Sequence, residues 1–312
     1  MVSVIIPNYN HALFLQRRIE SVLSQTYIDF ELIILDDFSV DHSRDVIEGY
    51  RDHPKVSHIA FNESNSGSTF KQWNKGIGLA KGEYIWIAES DDYAHPKFLS
   101  SCMERIQNDD RIGLVYTDSF EVTATNDILG RWSRWQTYLH TNLWQQDFYF
   151  GGDEFNARYQ YTANMIPNAS CAVFKKEAYL QSPFLRSIED FRFTGDWLMW
   201  FSILQFTDGS YCHQPLNYFR YHSATTRATS ANRLSNVKEH YQTISMLRKM
   251  VTPAPDKNIR EKKFTELYAF WNPSVKFLLS LPNLKILRRA FGVDPRIVVR
   301  LLKTIFNKLY AI

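Results

Sequence analysis

Cysteine is scarce in this chain of 312 residues, which contains only Cys102, Cys171 and Cys212. Their number is odd and their spacing fits no zinc-binding pattern, so the sequence predicts neither a disulfide framework nor a structural zinc site. We expect three reduced thiols in the core of a cytosolic protein.

Long apolar runs and an excess of one charge are also missing. No run approaches the ~18 apolar residues that a membrane-spanning helix needs. The N-terminal MVSVIIPNYN enters a strand at once, without the basic leader of a secretory signal. The 36 Lys plus Arg residues stand against 33 Asp plus Glu, which leaves a net charge of +3. We therefore expect a protein that is soluble or lies on a membrane surface, and no nucleic-acid partner.

Strand and helix patterns alternate through the first hundred residues. Four short apolar strands are separated by stretches with helical periodicity: VSVIIP, FELIILDD, VSHIAF and EYIWIA. This order predicts an α/β fold with a doubly wound, mostly parallel, Rossmann-like sheet. The regularity weakens after about residue 120, and residues 126–165 are rich in Trp and Tyr. We expect one domain over residues 1–230, followed by a helical extension over 231–312.

The end of that extension has the pattern of a basic amphipathic helix. Asp294 is suited to cap it and Pro295 to its first helical position. Seven basic residues and one acidic residue lie between Lys285 and Ile312, beside an apolar stripe. Two interpretations stay open: peripheral contact with a membrane surface, or a helix docked on the domain.

Three carboxylates, Glu89, Asp91 and Asp92, stand within four residues at the end of the strand EYIWIA. Like charges this close repel one another unless a cation or hydrogen-bond donors compensate. Mg²⁺ and Mn²⁺ accept oxygen ligands from one or two carboxylates and from substrate phosphates. The sequence therefore indicates a candidate metal site, with a solvated acidic turn as the alternative.

Other polar clusters follow the first two strands. VSVIIP runs into residues 7–10, and FELIILDD ends in Asp36 and Asp37. Ligands of doubly wound sheets collect beyond the carboxyl ends of the strands, so we expect these clusters to share one edge with the acidic motif. One of Asp36 and Asp37 is expected to cap the following helix and the other to bind ligand.

These segments, with NSGSTFKQWNKGIGLAKG between them, resemble the family 2 glycosyltransferases of the GT-A fold, which are inverting enzymes that use nucleotide-activated sugars. The resemblance covers about residues 2–225 and is dense over the first hundred. It implies a nucleotide-binding half over residues 1–100 and an acceptor-binding half over 101–230.

The resemblance also implies roles for residues around the nucleotide. Pro7 and Tyr9 match the loop that holds the base, and Asp37 matches the carboxylate that accepts the uracil N3 hydrogen, a donor that cytosine lacks. Asn65 and Gly67 match the loop beside the nucleotide.

For the donor phosphates and the metal, Lys75 matches a position that can neutralise phosphate. Asp91 would contact the ribose or the donor sugar, and Asp92 would bind the Mn²⁺ or Mg²⁺ ion that bridges the two phosphates. Glu89 stands where the family commonly has Asp. His222 in FRYHSATT matches a second metal ligand. Arg220 and Arg227 match positions that can clamp the diphosphate.

Asp196 in TGDWLMW matches the catalytic base of the family, which follows Gly or Glu at a helix start. Inverting transfer needs one carboxylate to take the acceptor hydroxyl proton. Phe193, Trp197 and Trp200 are expected to offer aromatic faces to an acceptor sugar.

The resemblance implies a metal-dependent inverting glycosyltransferase that moves a hexose or N-acetylhexosamine from a UDP-sugar to a glycan or lipid-linked glycan. We expect it to act in bacterial surface polysaccharide synthesis, in the cytoplasm or at the inner face of the membrane. The alternatives are a degenerate nucleotide-sugar-binding module and a nucleotidyltransferase. A nucleotidyltransferase would have a glycine-rich basic loop where this chain has PNYNHALF.

Overall fold

The computed structural model describes residues 1–139, 141–161, 163–183, 187–222 and 233–250, with single positions between 284 and 306. Within these residues, ten strands form one sheet. The strands are β1 Val2–Asn8, β2 Phe30–Asp36, β3 Val56–Phe61, β4 Tyr84–Ile87, β5 Tyr93–Ala94, β6 Ile112–Val122, β7 Ile128–Arg131, β8 Phe148–Phe150, β9 Ala172–Lys175 and β10 Asp208–Arg220.

The helices lie between these strands and after the last of them. Short 3₁₀ turns occur at Trp132–Leu139, Leu143–Gln145, Ala169–Cys171 and Ser187–Asp190, and a π turn at Asn156–Gln160. The α-helices are α1 Ala12–Leu23, α2 Ser43–Glu48, α3 Thr69–Leu79, α4 Phe98–Asn108, α5 Gly152–Phe155, α6 Lys176–Leu180, α7 Gly195–Ile203 and α8 Arg233–Met250.

The sheet order is β3-β2-β1-β4-β9-β6-β10-β5, with β7 on β6 and β8 on β10. β3, β2, β1 and β4 run parallel, and β6 pairs parallel with β10. β9 is antiparallel to both β4 and β6 and joins the two parallel parts. The predicted α/β, GT-A-like architecture with a mostly parallel sheet is confirmed.

Helices cover both faces of the sheet. Residues adjacent in a strand point to opposite faces, so Ile5 packs in one core and Val4 in the other. One core includes α3, α7 and α8; the other includes α1 and α4. Every residue of β1 and β2 is buried, as a strand covered on both faces must be.

The three cysteines are free and buried, as the sequence predicted. No helix in the described part of the chain combines the length and apolarity needed to cross a bilayer. The membrane-or-docked question for the terminal helix, and the assignment of Arg227, fall on residues that lie outside the described ranges, apart from single positions such as Pro295.

Candidate active site

The carboxyl ends of the parallel strands meet at one edge of the sheet. The register sets Asn8 beside Asp36 across β1 and β2, and Ile5 beside Ile87 across β1 and β4. The acidic motif begins two residues after β4. The predicted convergence of the polar clusters therefore follows from the register of three strands.

Asp91 is the carboxylate of the motif that faces two histidines. Its Oδ2 lies 3.0 Å from Nε2 of His222, and the rings of His11 and His222 meet edge to face with centroids 5.4 Å apart. One potential ligand atom from each of the three residues lies within 4.8 Å of the others. The sequence indicated His222, but His11 carried no signal of this role.

Ser90 orients His11. The serine Oγ lies 2.8 Å from Nδ1 of the imidazole, which leaves Nε2 on the other side of the ring. Hydrogen bonding of one ring nitrogen commonly fixes a ligating histidine in the tautomer that presents the other nitrogen. Ser90, which lies between Glu89 and Asp91 in the acidic motif, is itself buried.

Asp92 is almost completely buried, although it also lines the cavity that contains Asp196. Its Oδ2 accepts a hydrogen bond from Nδ2 of Asn168 at 2.7 Å, and its Oδ1 accepts one from the backbone N–H of Arg220 at 2.9 Å. Its side chain is 2% exposed, against 19% for Asp91. The sequence assigned the metal to Asp92 and a donor contact to Asp91, whereas Asp91 is the one that meets His222.

Arg18 supplies positive charge beneath the motif. Its side chain is fully buried, lies 4.0 Å from the Asp92 carboxylate and donates to the backbone oxygen of Glu89 at 2.8 Å. Burial lowers the pKa of Arg18 to about 10, although Asp92 and Asp91 act to raise it. Arg18 is therefore a buried counter-charge to the acidic motif. The sequence pattern placed it on a helix but did not indicate this role.

The carboxylates differ in proton affinity. Burial, and then the charge of Asp91, raise the pKa of Glu89 to about 8 and also raise the pKa of Asp92. Burial acts to raise the pKa of Asp91 too, but the hydrogen bond with His222 and the charge of His11 bring it below its usual value. Asp91 is therefore the carboxylate most ready to ligate a cation, because it is ionised and partly exposed.

Asp37 is enclosed by donors of its own chain. It accepts hydrogen bonds from Asn62 Nδ2 at 2.6 Å, Gln72 Nε2 at 2.9 Å and Asn65 Nδ2 at 3.2 Å. Ser66 donates both its backbone N–H, at 2.9 Å, and its hydroxyl, at 2.7 Å. The predicted uracil contact stays a prediction, and a base N–H would have to replace one of these donors.

Asp36 stabilises the turn rather than the next helix. Its Oδ1 accepts from the backbone N–H of Ser39 at 2.9 Å, and its Oδ2 accepts from Nδ2 of Asn8 at 2.9 Å. The backbone N–H of Ser43, where α2 begins, is instead bound by Asp41 at 3.0 Å. The expectation that Asp36 or Asp37 caps α2 is therefore wrong. Asp36 accepts its hydrogen bonds within the turn between β2 and α2, before the helix begins.

Two adjoining cavities open at this edge. The first, which we call the first-strand cavity, is lined by most of the residues that the resemblance assigned to the nucleotide. Gly67 adopts a φ of +78°, a backbone conformation that favours glycine. The predicted residues that line this cavity are Pro7, Tyr9, Asp37, Asn65, Gly67 and Asp91.

The second, the Asp196 cavity, contains the predicted catalytic base. Asp196 is at the start of α7, and its Oδ2 accepts a hydrogen bond from Nδ2 of Asn164 at 3.0 Å. Its Oδ1 accepts from the backbone N–H of Trp197 at 2.8 Å. These two donors fix the orientation of the carboxylate. Asn164 lies in an irregular stretch and had no sequence signal.

The two cavities share a wall. Thr69, Glu89, Asp91 and Arg192 line both. Arg192 is exposed and contributes the guanidinium at this junction. A ligand that occupies the first-strand cavity and extends past Asp91 would therefore arrive beside Asp196.

Two cations assigned to the donor are already engaged by the protein, although Arg220 lines the Asp196 cavity. Lys75 donates to Oδ1 of Asn62 at 2.5 Å and lines neither cavity. Arg220 is 2% exposed; its Nε donates to the backbone oxygen of Asp91 at 2.6 Å and its Nη1 to that of Thr123 at 3.0 Å. Arg220 holds the turn that carries Asp91, and its guanidinium is already engaged by main-chain oxygens.

The aromatic residues near Asp196 are mostly unavailable. Trp197 is 4% exposed and Trp200 is fully buried, so the expectation that they face an acceptor sugar is wrong. Both are part of the core because every residue of α7 is buried. Phe193 does line the Asp196 cavity.

Gly195 is required by close packing. A Cβ atom at this position would lie 2.7 Å from ring carbons of Phe70, which is closer than real contacts allow. Phe70 itself lines the Asp196 cavity. The glycine before the candidate base therefore lets α7 approach α3 closely.

Glu239 on α8 holds the segment that leads into α7. Its Oε1 accepts from the backbone N–H groups of Phe193 and Thr194, each at 2.6 Å, and its Oε2 accepts from that of Arg192 at 2.9 Å. Because Asp196 follows two residues later, α8 helps to position the candidate base. Glu239 was assigned no role from the sequence.

We expect Glu239→Ala to lower the free energy of unfolding by about 2–4 kcal/mol, since three backbone N–H groups lose their acceptor. Glu239→Gln keeps one acceptor oxygen and should cost less. Urea denaturation of both variants checks this, with Glu104→Ala, an exposed glutamate on α4, as the control. Equal stability of Glu239→Ala and Glu104→Ala would contradict the assigned role.

A protein-family model and several known proteins are similar in sequence to this chain. Residues 3–181 match the family described as Glycosyl transferase family 2. The chain is 31% identical to a chondroitin synthase of Escherichia coli over 144 residues, which are 46% of this chain and 21% of that relative. It is 38% identical over 102 residues to the poly(ribitol-phosphate) beta-N-acetylglucosaminyltransferase TarP of Staphylococcus aureus, covering 31% of this chain and 30% of TarP. The chain thus spans about a fifth of the length of that chondroitin synthase and less than a third of TarP.

Among solved structures, residues 1–349 of S. aureus TarS in complex with UDP-GlcNAc superpose with a TM-score of 0.65. The sequences are 17% identical, and the match covers 95% of this chain and 82% of the TarS chain. At this identity the likeness shows the fold alone.

Proposed function

Because the chain belongs to glycosyl transferase family 2, we propose that it is a metal-dependent, inverting glycosyltransferase acting on a UDP-sugar. The transferred group is a hexose or N-acetylhexosamine, and the acceptor is a hydroxyl of a growing glycan, free or lipid-linked. The observation that supports this proposal most is the shared wall of the two cavities. Asp91 lines both the first-strand cavity and the Asp196 cavity.

The donor class is supported from two directions. The first-strand cavity is lined by Asp37, a carboxylate that can accept a uracil N–H in place of one of its present donors. TarP carries N-acetylglucosaminyltransferase in its name, and the TarS structure holds UDP-GlcNAc. UDP-N-acetylglucosamine is therefore the first donor to test.

His11, Asp91 and His222 fit a divalent cation, and we assign the metal to these three residues, with Asp91 in place of Asp92. They offer one carboxylate and two imidazoles within a few ångströms of one another. Carboxylates suit both Mg²⁺ and Mn²⁺, whereas imidazole nitrogens suit transition metals, so this donor set favours Mn²⁺. When bound, the metal stabilises negative charge on the departing nucleoside diphosphate.

We expect His11→Ala to weaken Mn²⁺ binding in the presence of UDP by about 10- to 100-fold, because one imidazole donor is lost. Free Mn²⁺ measured by electron paramagnetic resonance reports this directly. His42→Ala is a matched control, since that histidine is 91% exposed and lines neither cavity. Unchanged Mn²⁺ affinity in His11→Ala would remove this residue from the ligand set.

Asp196 serves as the general base. It takes the proton of the acceptor hydroxyl as that oxygen bonds to the anomeric carbon, from the face opposite the leaving UDP. The bond between the anomeric carbon and the diphosphate oxygen breaks, so the configuration inverts. Asn164 and the Trp197 N–H hold the carboxylate in the orientation for this transfer.

Arg192 takes the role that the sequence gave to Lys75 and Arg220. It is exposed at the wall between the cavities, where a diphosphate that joins nucleotide to sugar would lie. Arginine forms paired hydrogen bonds with phosphate oxygens, which suits a clamp on the leaving group.

The proposal is tested by incubating the protein and Mn²⁺ with a panel of UDP- and GDP-sugars while nucleoside diphosphate release is followed. A UDP-sugar should be turned over preferentially, with EDTA stopping release and Mn²⁺ restoring it. The anomeric configuration of the product, read by NMR, checks inversion. Release that is independent of the nucleotide base would contradict the donor assignment, and a product with retained configuration would contradict the single-base mechanism.

A further inference from the structure

Two buried carboxylates on β6 hold the segment that follows β7. Asp118 accepts a hydrogen bond from the backbone N–H of Ser133 at 3.1 Å and one from its hydroxyl at 2.8 Å. Glu121, 1% exposed, lies 2.6 Å from Nη2 of Arg134. Burying two carboxylates is costly unless donors satisfy them, so this segment is held in a defined position.

Glu121 also holds two aromatic side chains by their polar atoms. Its Oε1 accepts from the hydroxyl of Tyr221 at 2.7 Å and from Nε1 of Trp135 at 3.1 Å. Because both donors meet one oxygen, the phenol and the indole are neighbours. Despite this anchoring, Trp135 is 55% exposed and Tyr221 is 40% exposed.

Ring contacts connect these side chains to the Asp196 cavity. Trp132 meets Phe219 edge to face at 5.6 Å, and Phe219 lies 5.2 Å from Tyr221. Phe219 and Tyr221 line the Asp196 cavity. We call Trp132, Trp135, Phe219 and Tyr221 the aromatic shelf; it is continuous with the cavity that contains the candidate base.

We infer that the aromatic shelf binds the acceptor saccharide, with a sugar ring stacked against Trp135 and Tyr221 while its neighbour presents a hydroxyl to Asp196. This inference rests on the proposed function and identifies the surface that it leaves undefined. Aromatic side chains with an apolar ring and one engaged polar atom suit a partner that has both C–H faces and hydroxyls. A cluster of exposed aromatic side chains that is continuous with a cavity is a typical ligand-binding surface.

Position also favours the acceptor over the donor. Two of the shelf residues, Phe219 and Tyr221, line the Asp196 cavity, whereas none of the four lines the first-strand cavity where the nucleotide is expected. Trp197 and Trp200, which lie on the same helix as Asp196, are buried and offer no face. The acceptor therefore approaches Asp196 from the β6–β10 side, opposite the nucleotide.

The test uses the full chain with UDP and Mn²⁺ bound. Cellobiose, lactose and N,N′-diacetylchitobiose are titrated, and binding is followed by saturation-transfer difference NMR. At least one disaccharide should bind the unaltered protein, and Trp135→Ala should raise its Kd about tenfold, the effect of one lost stacking contact. Tyr149→Ala, an exposed aromatic on β8 that lines neither cavity, is the control and should leave the Kd unchanged.

Variants of Glu121 separate a positioning role from a purely structural one. Glu121→Gln keeps an oxygen that can accept from Trp135 and Tyr221, so saccharide affinity should be largely retained. Glu121→Ala releases both rings and should weaken saccharide binding as Trp135→Ala does, while UDP binding stays the same. If Glu121→Ala does not fold, Trp135→Phe, which keeps a ring but loses the indole N–H, gives an intermediate Kd in its place.

Each result bears on the inference. Equal saccharide Kd values for the unaltered protein and Trp135→Ala would overturn it, as would no binding of any of the three disaccharides by a protein that binds UDP. Failure of the unaltered protein to bind UDP is measured in the same samples; that outcome overturns the proposed function and, with it, the inference built on it.

Discussion

Replacing Asp196 with asparagine is expected to lower sugar transfer by about 10²- to 10⁴-fold, the contribution of a positioned general base. The amide cannot accept the proton of the acceptor hydroxyl, so the attacking oxygen must lose it to water. The substitution preserves size, and an amide oxygen can still accept from Asn164 or from the Trp197 N–H. The fold and the affinity for UDP should therefore be unchanged.

Steady-state transfer rates and calorimetric UDP titration measure the two halves of this prediction. Asp110→Asn, an exposed carboxylate after α4, is a matched control and should behave as the unaltered protein does. Transfer by Asp196→Asn at the control rate would place the base elsewhere. Loss of UDP affinity in Asp196→Asn would mean that the residue supports the nucleotide site rather than the proton transfer.

The paired variants Asp91→Asn and Asp92→Asn should fail in different ways. Asp91 has its charge directed at His11 and His222, so Asp91→Asn should reduce Mn²⁺ affinity by about 100-fold or more without unfolding the protein. In Asp92 the two donors, Asn168 and the Arg220 N–H, bind different oxygens of the carboxylate. An amide has only one acceptor oxygen, so one donor is left unpaired, at a cost of about 1–3 kcal/mol in the free energy of unfolding.

Manganese titration by electron paramagnetic resonance and urea denaturation of both variants distinguish these effects. The original assignment from the sequence makes the opposite prediction, namely that Asp92→Asn loses metal-dependent UDP binding. If Asp92→Asn loses Mn²⁺ affinity at full stability and Asp91→Asn keeps it, that assignment stands and the one made from the side-chain geometry fails.

The sequence predicted the fold and the edge of the sheet where the site lies, because both depend on backbone patterns. Apolar strand runs such as 30–35 and 84–88 identify buried parallel strands, and polar residues at their ends must then meet. Pro7, Asp37 and Asp91 were found in this way, whereas Asn65 came from the family resemblance, and all four line one cavity.

The sequence could not predict the directions of side chains or the contacts between distant segments. Asp91 and Asp92 are adjacent, and which of them faces outward depends on the turn after β4 and on the buried Arg18 and Asn168. No local pattern carries that information. His11 meets His222 only because β1 and β10 are brought to the same edge, and Glu239 reaches the start of α7 from 45 residues further along the chain.

The close approach of Gly195 to Phe70 has an evolutionary consequence. A residue with a Cβ before the candidate base Asp196, such as the glutamate that the family resemblance gives as the alternative there, cannot be accommodated while Phe70 keeps its place. Positions 70 and 195 should therefore covary among homologues, and Gly195→Ala should be rescued by a smaller residue at 70. Since Phe70 lines the Asp196 cavity, the identity of the residue beside the base constrains how wide that cavity can be.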